Sequence, residues 1–132
     1  MHQEGAALHH HLGCSAFADH AVVSRRSLVK IDQDLPFQEA ALFGCAVLTG
    51  VGAVVNTGRV QAGESVAVIG LGGVGLAAVL GAIACGASQI IAVDVSDEKL
   101  ALATSMGATA TVNARDPDAI EQVRQLTGGG AD

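Results

Sequence analysis

Gly70-Leu71-Gly72-Gly73-Val74-Gly75 spaces three glycines as G-x-G-x-x-G, directly after the β-branched run Ser65-Val66-Ala67-Val68-Ile69 and directly before an apolar stretch. At a strand-to-helix junction each glycine has a task. The first permits a tight turn, the second lets a pyrophosphate approach the backbone, and the third lets helix and strand pack closely, while the free N–H groups of the helix start bind the anion. Leu71, Gly73 and Val74 complete the turn and count with it as candidate cofactor contacts. Asp94 follows Gly75 by 19 residues, at the end of a second apolar run. A carboxylate there can accept hydrogen bonds from both hydroxyls of an adenosine ribose and would repel a 2′-phosphate, which favours NAD(H) over NADP(H). Lys99, in the first turn of the next expected helix, can reach the same ribose.

These residues need a scaffold, and the text around them supplies one. After Gly63 the pattern predicts a strand over 65–70, a helix over about 73–86, a strand over 89–94, a helix over about 97–106, a strand over 109–113 and a helix over about 117–127. Short connections that each carry a helix imply a parallel sheet with right-handed crossovers, so the expected fold class is α/β, the first half of a Rossmann-type doubly wound sheet. Met106-Gly107 reads as one helix end. Asp116-Pro117 reads as the N-cap and first residue of the last helix, with Ala119, Ile120, Val123 and Leu126 forming its apolar stripe.

Upstream, Pro36 opens an Ala-rich stretch that runs to Gly58 and reads as a helix, with Gly44, Gly50 and Gly52 implying a break or close packing. Residues 15–31 mix short β-branched runs with charges and read as one or two strands with an exposed face. Residues 40–58 and 65–93 contain no Asp, Glu, Lys or Arg. The glycines within them and the short β-branched opening of the second favour buried core segments over membrane spans.

Composition narrows the function classes. The chain has 132 residues, 13 acidic against 7 basic, and neither Trp nor Tyr, which argues against nucleic-acid binding. Cys14, Cys45 and Cys85 are odd in number and widely spaced, so a disulfide framework is not expected and a cytoplasmic setting is. His9, His10, His11, Cys14 and His20 carry metal-donor chemistry, but adjacent histidines in a strand alternate direction and cannot converge on one ion. Two other functions fit the same residues: a non-catalytic NAD-binding module, and an adenosylmethionine-dependent methyltransferase-like domain, which also holds ribose hydroxyls with an acid after its second strand.

The stretch Ala40-Ala41-Leu42-Phe43-Gly44-Cys45-Ala46-Val47-Leu48-Thr49-Gly50-Val51-Gly52-Ala53, the turn Val68 to Leu76, Ala92-Val93-Asp94 with Lys99, and Met106-Gly107-Ala108-Thr109 together resemble the zinc-dependent medium-chain alcohol dehydrogenases, in the class that includes glutathione-dependent formaldehyde dehydrogenases. That resemblance implies a homo-oligomeric, NAD-dependent oxidoreductase acting on a small alcohol or aldehyde. It implies that Cys45 stands at a catalytic zinc ligand and that Thr49 and Val74 lie against the nicotinamide. It further implies that residues 1–35 are the end of a mostly-β, GroES-like substrate domain, 36–62 a linking helix region and 63–132 the first half of the NAD-binding domain. The family's other zinc ligands have no counterpart in this sequence, so the expectation is an internal fragment that does not catalyse alone.

Overall fold

The computed structural model describes residues 2–3, 5–7, 9 and 17–132, in two units, Met1–Pro36 and Phe37–Asp132. In the first unit, β1 (His2–Gln3) pairs antiparallel with β2 (Ala6–Ala7), with Gly5 at φ +82 between them. A single 3-10 turn follows at Arg25–Ser27, where the Ser24 hydroxyl accepts from the Arg26 N–H at 3.2 Å. The strands expected within residues 15–31 do not form in the described part, 17–31. A strand is held by a ladder to a neighbour. Among the described residues of its unit this stretch has none, and Phe17 and Val22 are exposed.

The second unit opens with α1 (Phe37–Gly58), which satisfies by length and composition what a membrane-crossing helix needs. Its glycines do not break it. Two stretches, Phe43–Val47 and Ala53–Gly58, widen to π-type turns around a regular segment at Leu48–Gly52, and Arg59 closes the helix in the left-handed region at φ 54. The alternative expectation, close packing, is what Gly50 provides: a Cβ there would run into the Val74 carbonyl oxygen and stand 2.7 Å from the Ala77 methyl.

Beyond Gly63 come β3 (Ser65–Ile69), α2 (Gly73–Ala84), β4 (Gln89–Asp94), α3 (Asp97–Met106), β5 (Ala110–Asn113) and α4 (Ala119–Leu126). The three strands are parallel in the order β3-β4-β5, with Ile69 opposite Val93 and Asp94 opposite Asn113. Alternation along β4 divides the core between two faces. Ile90 and Ala92 pack with Val79, Ala82, Leu100 and Ala103 of α2 and α3. Ile91 and Val93 pack with Val112 and with Ala119 and Val123 of α4. Helices on both faces of a parallel sheet define a doubly wound α/β fold, and β4, covered on both sides, is accordingly a continuous apolar run.

Gly107 ends α3 at φ +115, as its sequence position suggested. The last helix starts later than Asp116-Pro117 implied. Asp118 precedes its first residue and its carbonyl accepts from the Gln122 N–H at 2.9 Å. Asp116 is used in the turn before, donating to the Asn113 carbonyl and accepting from Ala119 N–H, because the chain must first leave the end of β5. Of the apolar stripe, Ala119 and Val123 reach the sheet and Ile120 stays exposed. At the other side of the sheet, β3 has strand pairing on one edge only among the described residues. Its first residue meets the chain end there: the Asp132 carboxylate accepts from the Ser65 N–H at 3.0 Å and hydroxyl at 2.9 Å, and the Asp132 N–H donates to the Ser65 carbonyl.

Candidate dinucleotide site

The turn from β3 into α2 lies at the carboxyl ends of the parallel strands, where open α/β sheets bind ligands. Gly70, at φ +88, occupies backbone space that side chains rarely enter, and its N–H donates to the Val93 carbonyl at 2.8 Å, tying the turn to β4. Gly75 could carry no side chain, since a Cβ would run into the Gly70 carbonyl oxygen. This contact is why strand and helix approach so closely. Gly72 is different: nothing lies within 4 Å of where its Cβ would stand, so the backbone is open on that side. It precedes α2 in an extended conformation with no side-chain cap, and the first helical bond runs from Leu76 N–H to Gly72 O at 2.9 Å. The N–H groups ahead of Leu76 belong to the helix start that such bonds leave over. No acidic side chain stands in that first turn, so the helix presents its positive end unopposed by its own residues. A pyrophosphate fits this cradle.

Asp94, 7% exposed, ends β4 beside the turn. Its Oδ2 accepts from the Leu71 N–H at 2.7 Å and its Oδ1 from the Ser96 N–H at 3.0 Å. Lys99 Nζ lies 3.8 Å from Oδ2 and is half-exposed. The Leu71 N–H, first among these causes, holds the carboxyl below the ordinary carboxylate range; burial opposes it, and Ser96 and Lys99 add to it. The group is therefore anionic at neutral pH. A carboxylate has about four acceptor positions. Two are taken by backbone N–H groups, which leaves room for the two hydroxyls of a ribose.

Gly70 to Gly75, Asp94 and Lys99 thus come together in one place. Cys45 and Thr49 lie on α1, the helix that packs against the start of α2. Ala46 and Gly50, one residue after each, are the positions at which α1 meets α2: the Ala46 methyl lies 3.5 Å from where a Cβ on Gly73 would stand. Cys45, Thr49 and Val74 are exposed. Cys85, half-buried, packs against the core of the sheet. His9 and His20 are exposed, while His10, His11 and Cys14 lie outside the described residues. Among the described residues no three His, Cys, Asp or Glu side chains gather as a metal site, and Cys45 alone is one sulfur donor where a catalytic zinc needs three protein ligands. The donor set described does not fit a zinc ion. Two partnerships were invisible in the sequence: the Leu71 N–H bond to Asp94, which depends on the turn's geometry, and the role of Gly50, one of three glycines in α1 with no local mark to set it apart.

Fold and turn together define a Rossmann-like α/β unit, and comparison with known proteins carries this further. Residues 73–132 match the zinc-binding dehydrogenase family. The chain is 48% identical over 97% of its length to an S-(hydroxymethyl)glutathione dehydrogenase of Synechocystis, covering 35% of that protein. It is 47% identical over 86% of its length to an S-(hydroxymethyl)glutathione dehydrogenase of Escherichia coli, covering 31%. Among solved structures, an alcohol dehydrogenase zinc-binding domain protein from Burkholderia ambifaria superposes with a TM-score of 0.86 at 39% identity, over 91% of this chain and 32% of that one. A benzyl alcohol dehydrogenase from Acinetobacter calcoaceticus gives 0.82 at 39% identity, over 89% and 33%. Along most of its length the chain is similar to zinc-dependent alcohol dehydrogenases, and its residues 73–132 carry that family's pattern. It spans about a third of the length of the relatives it matches.

Proposed function

We propose that this chain binds NAD(H) and forms the coenzyme-binding part of a zinc-dependent alcohol dehydrogenase, an oxidoreductase that passes hydride between a small alcohol and nicotinamide. The observation that carries this reading is Asp94: buried, anionic, anchored to the glycine turn through Leu71, and left with two acceptor positions beside an open helix start. In the bound state the α2 N–H groups hold the pyrophosphate, Asp94 and Lys99 hold the adenosine ribose, and Thr49 and Val74 border the nicotinamide end. Zinc, in an enzyme of this class, lowers the alcohol's pKa and orients the alkoxide. Cys45 is proposed as one of its ligands. The described residues offer no others, so no catalytic step is assigned to them. Residues 1–35 are assigned to the substrate domain, 36–62 to the linking helix region and 63–132 to the coenzyme domain of a cytoplasmic homo-oligomer.

That Cys45 is a lone sulfur donor among the described residues favours a second reading, a module that binds coenzyme without turnover. Calorimetric titration of the purified chain with NAD⁺ and with NADP⁺ tests the site. Saturable NAD⁺ binding is expected, with NADP⁺ silent. Asp94→Asn, which keeps one oxygen for the Leu71 N–H, should weaken NAD⁺ by about tenfold or more, the scale of a charged hydrogen bond. Equal affinity for both coenzymes, or none for NAD⁺, defeats the proposal. Alcohol oxidation by the chain alone, dependent on zinc and NAD⁺, would show that the described residues are not its whole metal site.

A further inference from the structure

One contact at the carboxyl ends of the strands has no part in the site described above. Asn113 closes β5 directly opposite Asp94, and its Nδ2 donates to Asp97 Oδ1 at 2.7 Å. The direction of the amide is fixed from its other side, because its Oδ1 accepts from the Arg115 N–H at 3.0 Å. Asp97 is the first residue of α3, and Lys99 stands two positions later. The start of α3 lacks the usual fastening. Ser96, at its N-cap, makes no side-chain capping bond, and its own N–H is committed to Asp94. The Asn113 amide therefore adds to Asp94 a second side-chain tie between the sheet and the start of α3, and it is the one that holds Asp97.

We propose that Asn113 is a positioning residue for the adenosine-ribose end of the coenzyme site, acting through Asp97 to hold Lys99 over Asp94. The proposal rests on the reading of this site as a dinucleotide site. While the first turn is helical, Asp97 and Lys99 are two residues apart and do not face one another, so the ammonium is left to Asp94 and to the ribose hydroxyls. Once the amide is removed, the turn frays as unfastened helix ends do. A frayed turn frees the Asp97 carboxylate to compete with Asp94 for Lys99. The pyrophosphate cradle at α2, which Asn113 does not touch, keeps its geometry. Loss of the amide should accordingly be felt by the ribose hydroxyls and not by the phosphates.

ADP and 2′,3′-dideoxy-ADP differ only in those hydroxyls and serve as the probes, titrated calorimetrically into the full chain. Asn113→Ala should weaken ADP about fivefold and change dideoxy-ADP less than about twofold, with NAD⁺ following ADP. Exchanging the pair, Asn113→Asp together with Asp97→Asn, keeps a donor facing an acceptor and an acceptor for the Arg115 N–H. It should bring ADP back to within about twofold of the unaltered chain. An equal loss for both nucleotides would mean that Asn113 merely supports the fold, and an unchanged ADP affinity or a failed exchange would equally refute the positioning role. If the unaltered chain binds neither NAD⁺ nor ADP, the dinucleotide reading falls and this proposal falls with it. If it binds both and Asn113→Ala is without effect, only this proposal falls.

Discussion

Two glycines on α1, two residues apart, should respond to the same substitution with opposite signs. A Cβ at Gly50 would run into the Val74 carbonyl oxygen and stand 2.7 Å from the Ala77 methyl and 2.8 Å from the Ala78 nitrogen. Two of these three neighbours are backbone and cannot rotate aside, so α1 must move off α2. Overpacking of this kind costs about 1–3 kcal/mol, and the rigid neighbours place Gly50→Ala toward the upper end. The gain in helix propensity, about 1 kcal/mol, offsets part of it. The net loss is about 1–2 kcal/mol, which for a unit of this size lowers Tm by roughly 4–16 °C. Gly52 has open space, its nearest neighbour being Asn56 Nδ2 at 3.7 Å, so Gly52→Ala keeps the propensity gain and should stabilise by about 0.5–1 kcal/mol. With no Trp or Tyr in the chain, far-UV circular dichroism during thermal and urea unfolding is the assay. A Gly50→Ala chain as stable as the parent, or a Gly52→Ala chain less stable, would refute the packing argument. Since Cys45 and Thr49 are carried on the same helix, Gly50→Ala should also weaken NAD⁺.

Stability should fall as acid protonates two carboxylates. Asp94 is held below its ordinary range first by the Leu71 N–H and Asp132 first by the Ser65 N–H, so both contribute stability that is complete above the unfolded carboxylate value and lost as pH falls through their folded values. Unfolding followed from about pH 6 to about pH 3 should show a decline beginning near pH 4, shallower in Asp94→Asn; an identical decline in both would count against it. The open edge of β3 should make the chain self-associate. Ser65 turns its N–H and carbonyl outward to Asp132, so by alternation Ala67 and Ile69 present theirs unpaired along a groove of about 800 Å3. Ile69→Lys should reduce concentration-dependent association in sedimentation, and unchanged association would place the contact elsewhere.

Where burial and punctuation agreed, the sequence was enough to place elements. The run Gln89–Asp94 and the segment Asp97–Met106 fall at the residues their patterns indicate, because one is apolar from Ile90 to Val93 between polar ends and the other is bounded by Ser96 and Gly107. Residues 17–31 misled because β-branched composition records what a strand surface accepts, and says nothing of whether a partner strand exists. Asp116-Pro117 has the chemistry of a helix start, but the geometry of leaving β5 uses it in a turn two residues early. The glycine turn and Asp94 could be named from spacing alone. That Asp94 is fastened to the turn, and that Asn113 fastens α3, depends on distances between strands that no local pattern encodes.

In the proposed coenzyme site the Asp94 bond to Leu71 also links coenzyme preference to folding. An acid that only repelled a 2′-phosphate could be replaced freely by a small neutral residue to admit one. Here the acid is in addition the acceptor for the N–H of a residue 1% exposed, within the turn that the glycines hold tightly against β4. Removing the charge without supplying another oxygen leaves that donor buried and unpaired, a loss that water cannot make good. A chain altered toward NADP(H) at this position must keep an acceptor within reach of Leu71, or its phosphate cradle loses shape along with its selectivity. At the proposed site a substitution of Asp94 would therefore move discrimination at the ribose and geometry at the pyrophosphate together, where a change at Asn113 would move the ribose end alone.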